Sequence, residues 1–183
     1  YNGQPIALVV AESFEQARYA SKLIKVTYEE KKFKGSLAEN LKNASADRAP
    51  EPAKNRGNFT KAFKNSDYTI IREYRQSRNY HNPMEPHATS VEYNSDGNIV
   101  VYDKIQGVAS SLKYLKGVFG LGADSVRVKS DFVGGAFGSG LRPQYQLFMA
   151  TLAALELKHN VQMVMTRAQM FSFGYRPEVI HTM

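Results

Sequence analysis

The residues best suited to chemistry in this 183-residue chain lie between Val128 and Pro143, read VKSDFVGGAFGSGLRP. Glycines at 134, 135, 138 and 140 carry no Cβ, so a ligand can approach the main chain there, and its N–H groups suit an anionic ligand. A β-branched approach precedes the glycines and an apolar helical pattern begins near Gln144. Strand, loop and helix start is an arrangement that offers N–H donors to an anion. Read from Gly135 the spacing is G-x-x-G-x-G, not the G-x-G-x-x-G of a dinucleotide fold, and no G-K-[S/T] ending makes it a Walker loop. Spacing leaves two readings open: an anion cradle, or a tight turn between packed elements.

A second cluster is His81-Asn-Pro-Met-Glu-Pro-His87. Two histidines and a glutamate invite a metal, yet His-x5-His between prolines is not a standard zinc spacing. The prolines favour a rigid loop that carries Glu85 and His87 to a strand junction.

These segments need a scaffold. Ala88–Tyr93 and Ile99–Ile105 read as strands joined by Asn94-Ser-Asp-Gly97, a good hairpin signal. The second runs into Gln106-Gly107 and a helix over Ala109–Phe119, with Ser110 or Ser111 near its start and Gly120 and Gly122 closing it. Ser125–Lys129 is a strand entering the glycine loop. A helix over 144–158 follows, its expected core stripe formed by Tyr145, Phe148, Met149, Leu152, Leu155 and Leu157. The strand Val161–Thr166 comes next. This order makes the fold α+β.

Upstream, Pro5–Ala11 (PIALVVA) reads as a strand buried on both faces, followed by a helix capped by Ser13 and a strand over Lys25–Tyr28. This β-α-β unit is too small to stand alone, and its missing strands are expected upstream. Residues 31–57 read as a connecting segment with a helical hint at Leu37–Leu41. Asn58 caps a helical turn through Phe63, and Tyr68–Arg75 alternates as a strand. From the abrupt ends an internal fragment of a longer protein is expected.

Composition bounds the classes. Apolar residues make up 43% and charged residues 22%, ordinary for a globular protein. The net charge of +7 raises nucleic acid as a partner. Against it, the lysines cluster in solvated segments, the aromatics follow core periodicity, and no nucleic-acid-binding signature is present. With no cysteine, the chain has no disulfide, thiolate zinc site or cysteine-held iron–sulfur cluster. No apolar run approaches the roughly 18–20 residues that span a bilayer. The compartment stays open between bacterial cytoplasm and periplasm.

Taken in order, Met84-Glu-Pro-His87, Gln106-Gly107 after a strand, Gly134-Gly-Ala-Phe-Gly138, and Thr166-Arg-x-x-Met-Phe171 with Gly174-Tyr-Arg-Pro177 resemble the molybdenum-binding subunit of the xanthine dehydrogenase and aldehyde oxidase family. The stretch from Gly3 to Arg18 looks like the end of that family's α/β-hammerhead domain. The resemblance implies a domain plan: 1–30 ending the hammerhead, 31–57 connecting, and 58–183 beginning the molybdopterin-binding domain. It implies a molybdopterin cofactor carrying molybdenum, in its cytosine dinucleotide form if the protein is bacterial. Iron–sulfur clusters and FAD are then expected on other subunits or domains. Gln106 matches the glutamine that hydrogen-bonds an oxo ligand of the metal, with Gly107 beside it. Phe137-Gly138 matches the Phe-Gly pair next to the metal, and Gly134 and Gly135 belong to the same cofactor-facing loop. No side chain of this chain is expected to ligate the metal directly.

The implied reaction is hydroxylation of an electrophilic carbon with oxygen from water, begun by a glutamate base. That base belongs to a Gly-x-Gly-Glu stretch that this chain does not contain, and Glu85 reads as a loop anchor instead. No catalytic residue is expected here, so the chain alone is expected to be inactive. Xanthine-active members carry a glutamate just after the glycine loop, where Leu141 stands. Leu141, with Phe137, therefore implies an aldehyde pocket rather than a purine pocket, although N-heterocycles stay within the family's range. Arg142 reads equally as a pocket residue or a surface ion pair. The alternative is a non-catalytic scaffold subunit of the same fold.

Overall fold

The structure is a computed structural model that describes residues 1, 3–45, 56–172 and 174–183. In chain order its helices are α1 (Phe14–Lys22), α2 (Leu37–Asn40), α3 (Phe59–Lys64), α4 (Val108–Phe119), α5 (Tyr145–Leu157) and α6 (Arg167–Met170). Its strands are β1 (Glu73–Gln76), β2 (Asn79–Tyr80), β3 (Ala88–Tyr93), β4 (Ile99–Asp103), β5 (Val126–Lys129), β6 (Val161–Val164), β7 (Tyr175–Arg176) and β8 (Val179–Thr182). They form two compact units, Tyr1–Val26 with Asn79–Arg176, and Thr27–Arg78 with Pro177–Met183.

The first unit is built on a four-stranded sheet in the order β5-β4-β3-β6. Its centre is the hairpin β3–β4, closed by Asn94 and Gly97: the Gly97 N–H donates to Asn94 O at 2.9 Å. β6 pairs antiparallel with β3, whereas β5 pairs parallel with β4, reached through the crossover helix α4. Alternation puts Val91, Ile99, Val101, Val126 and Val128 on one face, where Leu115 of α4 and Leu147, Ala150 and Ala154 of α5 cover them. Leu147 is fully buried. Leu147→Ala is expected to cost about 2–5 kcal/mol in urea denaturation, the range for a buried leucine whose cavity cannot collapse.

The buried face of α5 differs from the expected stripe. Gln146, Leu147, Ala150, Thr151, Ala153 and Ala154 are the buried positions, while Tyr145 and Leu157 are exposed. Small side chains let the helix axis approach the sheet, and the larger apolar ones flank it; Phe148 stacks on Phe119 at 5.4 Å. α4 starts one residue earlier than expected, at Val108, with Ser110 and Ser111 in its first turn; its N-cap Gly107 has no side chain to cap with, and Ser111 is buried and donates to Asp103 Oδ2 at 2.9 Å.

In the upstream segment, α1 has the expected Ser13 cap, completed as a capping box by Gln16. Neither flanking strand forms. Pro5–Ala11 is without regular secondary structure, and Ile6, Leu8 and Val10 are exposed. Residues 8–11 line a groove with Val161–Val164 of β6, but the ladder of β6 goes to β3. Lys25–Tyr28 is likewise unpaired and exposed. An apolar run signals burial, whereas a strand also needs a backbone partner, and periodicity carries no information about that.

In the second unit, Ser36 caps α2 through a capping box with Glu39, and Asn58 caps α3 by accepting from Lys61 N at 2.9 Å. The strand expected over Tyr68–Arg75 shortens to β1, which pairs antiparallel with β8. Residues 46–55 of the expected connecting segment lie outside the described residues.

Candidate functional site

Two parallel neighbours deliver the site. β4 and β5 run side by side, from Ile99↔Val126 to Tyr102↔Lys129, so both chains leave the sheet at the same edge. Gln106 and Gly107 follow β4, and the glycine loop follows β5. The carboxyl edge of such strands is where open sheets bind ligands. Ser130 ties the two exits: its hydroxyl donates to Ile105 O at 2.9 Å. The Gln106 N–H donates to Gly140 O at 2.7 Å, and a Cβ on Gly107 would sit 3.6 Å from Leu141 O. Residues 25 to 34 positions apart in sequence thus share one edge.

The loop is anchored along its length. Glu85 and Gly134 exchange hydrogen bonds, Gly134 N–H to Glu85 Oε2 and Glu85 N–H to Gly134 O. Lys104 Nζ donates to Gly135 O at 2.7 Å. Ser139 Oγ donates to Ala136 O at 2.7 Å, and Gln144 Nε2 to Ser139 O at 2.7 Å. Arg176 reaches Phe137 O at 3.4 Å. The 81–87 loop is gripped by Arg167, which donates to Asn82 Oδ1 at 2.8 Å and to the carbonyls of Pro83 and Met84, both at 2.5 Å. His81 Nδ1 donates to Gly174 O at 2.5 Å, since a carbonyl only accepts.

Phe137 and Gly138 both have positive φ, 54° and 96°. For phenylalanine this backbone is uncommon, and it persists because its neighbours over-determine it. Among the described residues, the N–H groups of Phe137 and Gly138 have no hydrogen-bond partner. Phe137 and Leu141 are exposed, at 67% and 57%. The edge therefore offers main-chain donors beside an uncovered apolar rim, a donor set that fits oxo or phosphate oxygens. Among the described residues, no group of three His, Asp or Glu lies together as a metal cage.

The charges behind this edge are perturbed. Burial is the main cause that pulls the Lys104 ammonium down from its ordinary value, and it raises the carboxyl of Asp103, which accepts from Thr89 and Ser111. His87 is 2% exposed and its Nδ1 lacks a partner among the described residues. Burial, then the Lys104 charge, lowers its pKa from 6.5 to about 4. Below pH 6.5 the unfolded chain takes up a proton that the folded one refuses. The stability due to neutral His87 is thus complete above 6.5 and is lost as pH falls through about 4. Thermal midpoints across this window are expected to fall with acidification, less steeply in His87→Gln; equal slopes would remove His87 as the cause.

Of the residues singled out in sequence, Gln106, Gly107, Gly134, Gly135, Phe137, Gly138 and Leu141 lie in the two segments joined at this edge. Arg142 is exposed and has no ion-pair partner among the described residues. Glu85 is a loop anchor, as read. Sequence reasoning passed over Lys104, saw Arg167 only as part of the Thr-Arg-x-x-Met-Phe run, and weighed His81 only as a metal ligand, not as the partner of Gly174 O.

Comparison with known proteins points the same way. Residues 41–182 match the family model described as molybdopterin cofactor-binding domain. An aldehyde oxidoreductase molybdenum-binding subunit, PaoC of Escherichia coli O157:H7, is 34% identical over 90% of this chain and 22% of its own length. Xanthine dehydrogenase of Dictyostelium discoideum is 27% identical over 91% of this chain and 12% of its own. The chain thus spans less than a quarter of the length of these relatives. In fold, the aldehyde oxidoreductase of Desulfovibrio gigas superposes with a TM-score of 0.74 at 24% identity, covering 91% of this chain and 19% of that one.

Proposed function

Because the chain belongs to the molybdopterin cofactor-binding domain family, we propose that it is part of the large subunit of a molybdenum hydroxylase that oxidises aldehydes. The observation that carries this reading is the meeting of Gln106 and Gly107 with the glycine loop at one strand edge, beside the unpaired N–H groups of Phe137 and Gly138. These donors suit the oxo and phosphate oxygens of such a cofactor. Bound there, the cofactor supplies the two-electron oxidation of the substrate carbon. The chain's own residues hold and orient. Gln106 offers its amide to a cofactor oxygen, Gly107, Gly134, Gly135 and Gly138 keep the main chain open, and Phe137 with Leu141 forms an apolar wall for substrate. Arg142 stands at the rim of that wall.

The remaining parts lie outside this chain. We assign the base to a glutamate in another segment of the subunit, and the electron path to iron–sulfur and FAD centres elsewhere. The cytosine dinucleotide form suits a bacterial protein. Residues 1–30 are the end of a hammerhead domain, 31–57 a connection, and 58–183 the first part of the cofactor-binding domain.

An apolar Leu141 favours aldehydes over purines, and the relative at 34% identity is an aldehyde oxidoreductase subunit. Turnover of the complete enzyme on an aromatic aldehyde and on xanthine tests this: aldehyde is expected to be the better substrate by kcat/KM, and a xanthine preference overturns it. Leu141→Glu is expected to lower kcat/KM for the aldehyde about tenfold, because a carboxylate against apolar substrate costs about 1–3 kcal/mol. Unchanged kinetics would take Leu141 out of the pocket.

A further inference from the structure

The least expected group at this edge is a lysine. Lys104 directly follows β4, two residues before Gln106, and is only 6% exposed. Its main-chain N–H donates to Ala88 O at 3.0 Å, which holds it in the sheet. Its ammonium crosses to the glycine loop and donates to Gly135 O at 2.7 Å. Buried ammonium groups are ordinarily paired with a carboxylate. Among the described residues no carboxylate lies within 4 Å of Lys104; the ion pairs found are the exposed Lys31–Glu29 and Arg75–Glu73. The carboxylates of Glu85 and Asp103 act on it from beyond ion-pair distance, and each is held by other donors. Glu85 accepts from Gly134 N–H, and Asp103 accepts from Thr89 and Ser111. Arg167, which grips the adjacent 82–84 carbonyls, adds a second cation.

We propose that Lys104 is a positioning residue: its buried ammonium fixes the glycine loop against the β4 exit and supplies a buried positive charge, without an ion pair among the described residues, that favours an anionic group at the loop's open N–H donors. The bond to Gly135 O sets the backbone two residues ahead of Phe137, whose N–H is one of the loop's unpaired donors. On the protein side the ammonium has a carbonyl partner, Gly135 O, and no ion pair among the described residues, so an oxo- or phosphate-bearing ligand in the loop would add to its balance. Calling that ligand molybdopterin rests on the function proposed above.

The test uses the complete subunit, expressed with its partners in a molybdate-sufficient host, as wild type, Lys104→Met and Lys104→Arg. Molybdenum and pterin per polypeptide are measured beside the urea midpoint of cofactor-free protein. Lys104→Met is expected to lower loading about tenfold, the scale of one charge-assisted contact, with the cofactor-free midpoint unchanged or raised because a buried charge is gone. Lys104→Arg is expected to keep most of the loading. Normal loading in Lys104→Met overturns the proposal. So does an equal loss of loading and of midpoint in both variants, which would make the lysine a packing residue only. A wild-type subunit without molybdenum rejects the cofactor reading itself, whatever the variants do.

Discussion

Gly138→Val in the complete subunit is expected to yield folded protein without molybdopterin. Gly138 sits at φ 96°, a conformation that a β-branched residue adopts only with strain. A Cβ there would meet nothing closer than His81 Nε2 at 3.8 Å, an ordinary contact, so the defect is one of backbone and not of packing. Relieving the strain, worth about 1–3 kcal/mol, would move the Phe137–Gly138 peptide and with it the unpaired donors. The loop is anchored on both sides of that point, by Gly135 O and Ser139, so the rest of the unit should hold. Pterin fluorescence and metal content check the outcome. A normally loaded variant would mean that this peptide does not face the cofactor.

Gln106→Ala should separate binding from turnover. The main-chain N–H of Gln106 donates to Gly140 O, and alanine keeps that bond; the side chain itself is exposed. Thermal stability and metal content are therefore expected to stay near wild type. If the amide donates to a cofactor oxygen that gains charge during reaction, its loss should lower kcat about a hundredfold, the scale for one oriented donor. Unchanged kcat would remove Gln106 from the site.

Much of the scaffold could be read before the structure. The Asp96-Gly97 turn marks the central hairpin, Ser13 and Asn58 act as caps, and β3, β4, β5 and β6 fall within segments read as strands. The α5 face was misjudged because large apolar residues draw attention, whereas the sheet is met by Leu147 and small neighbours. PIALVVA was misjudged because pairing depends on a partner that a single segment does not display. For the site, the motifs could be found one at a time by resemblance. Their convergence follows from the parallel pairing of β4 with β5, a long-range fact absent from local periodicity. Lys104 could not be read at all: in sequence it is a lysine after an aspartate, an ordinary surface pattern, and only burial shows its difference.

The central claim is that the Gln106 turn and the glycine loop form part of a molybdopterin site. The most direct measurement is molybdenum and pterin content of the complete subunit, purified with its partners from a molybdate-sufficient host. Stoichiometric molybdenum and pterin in the wild type, both lost in Gly138→Val and both kept in Gln106→Ala, is the predicted result. A folded, assembled wild-type subunit containing neither would contradict the account and leave the family's fold without its cofactor.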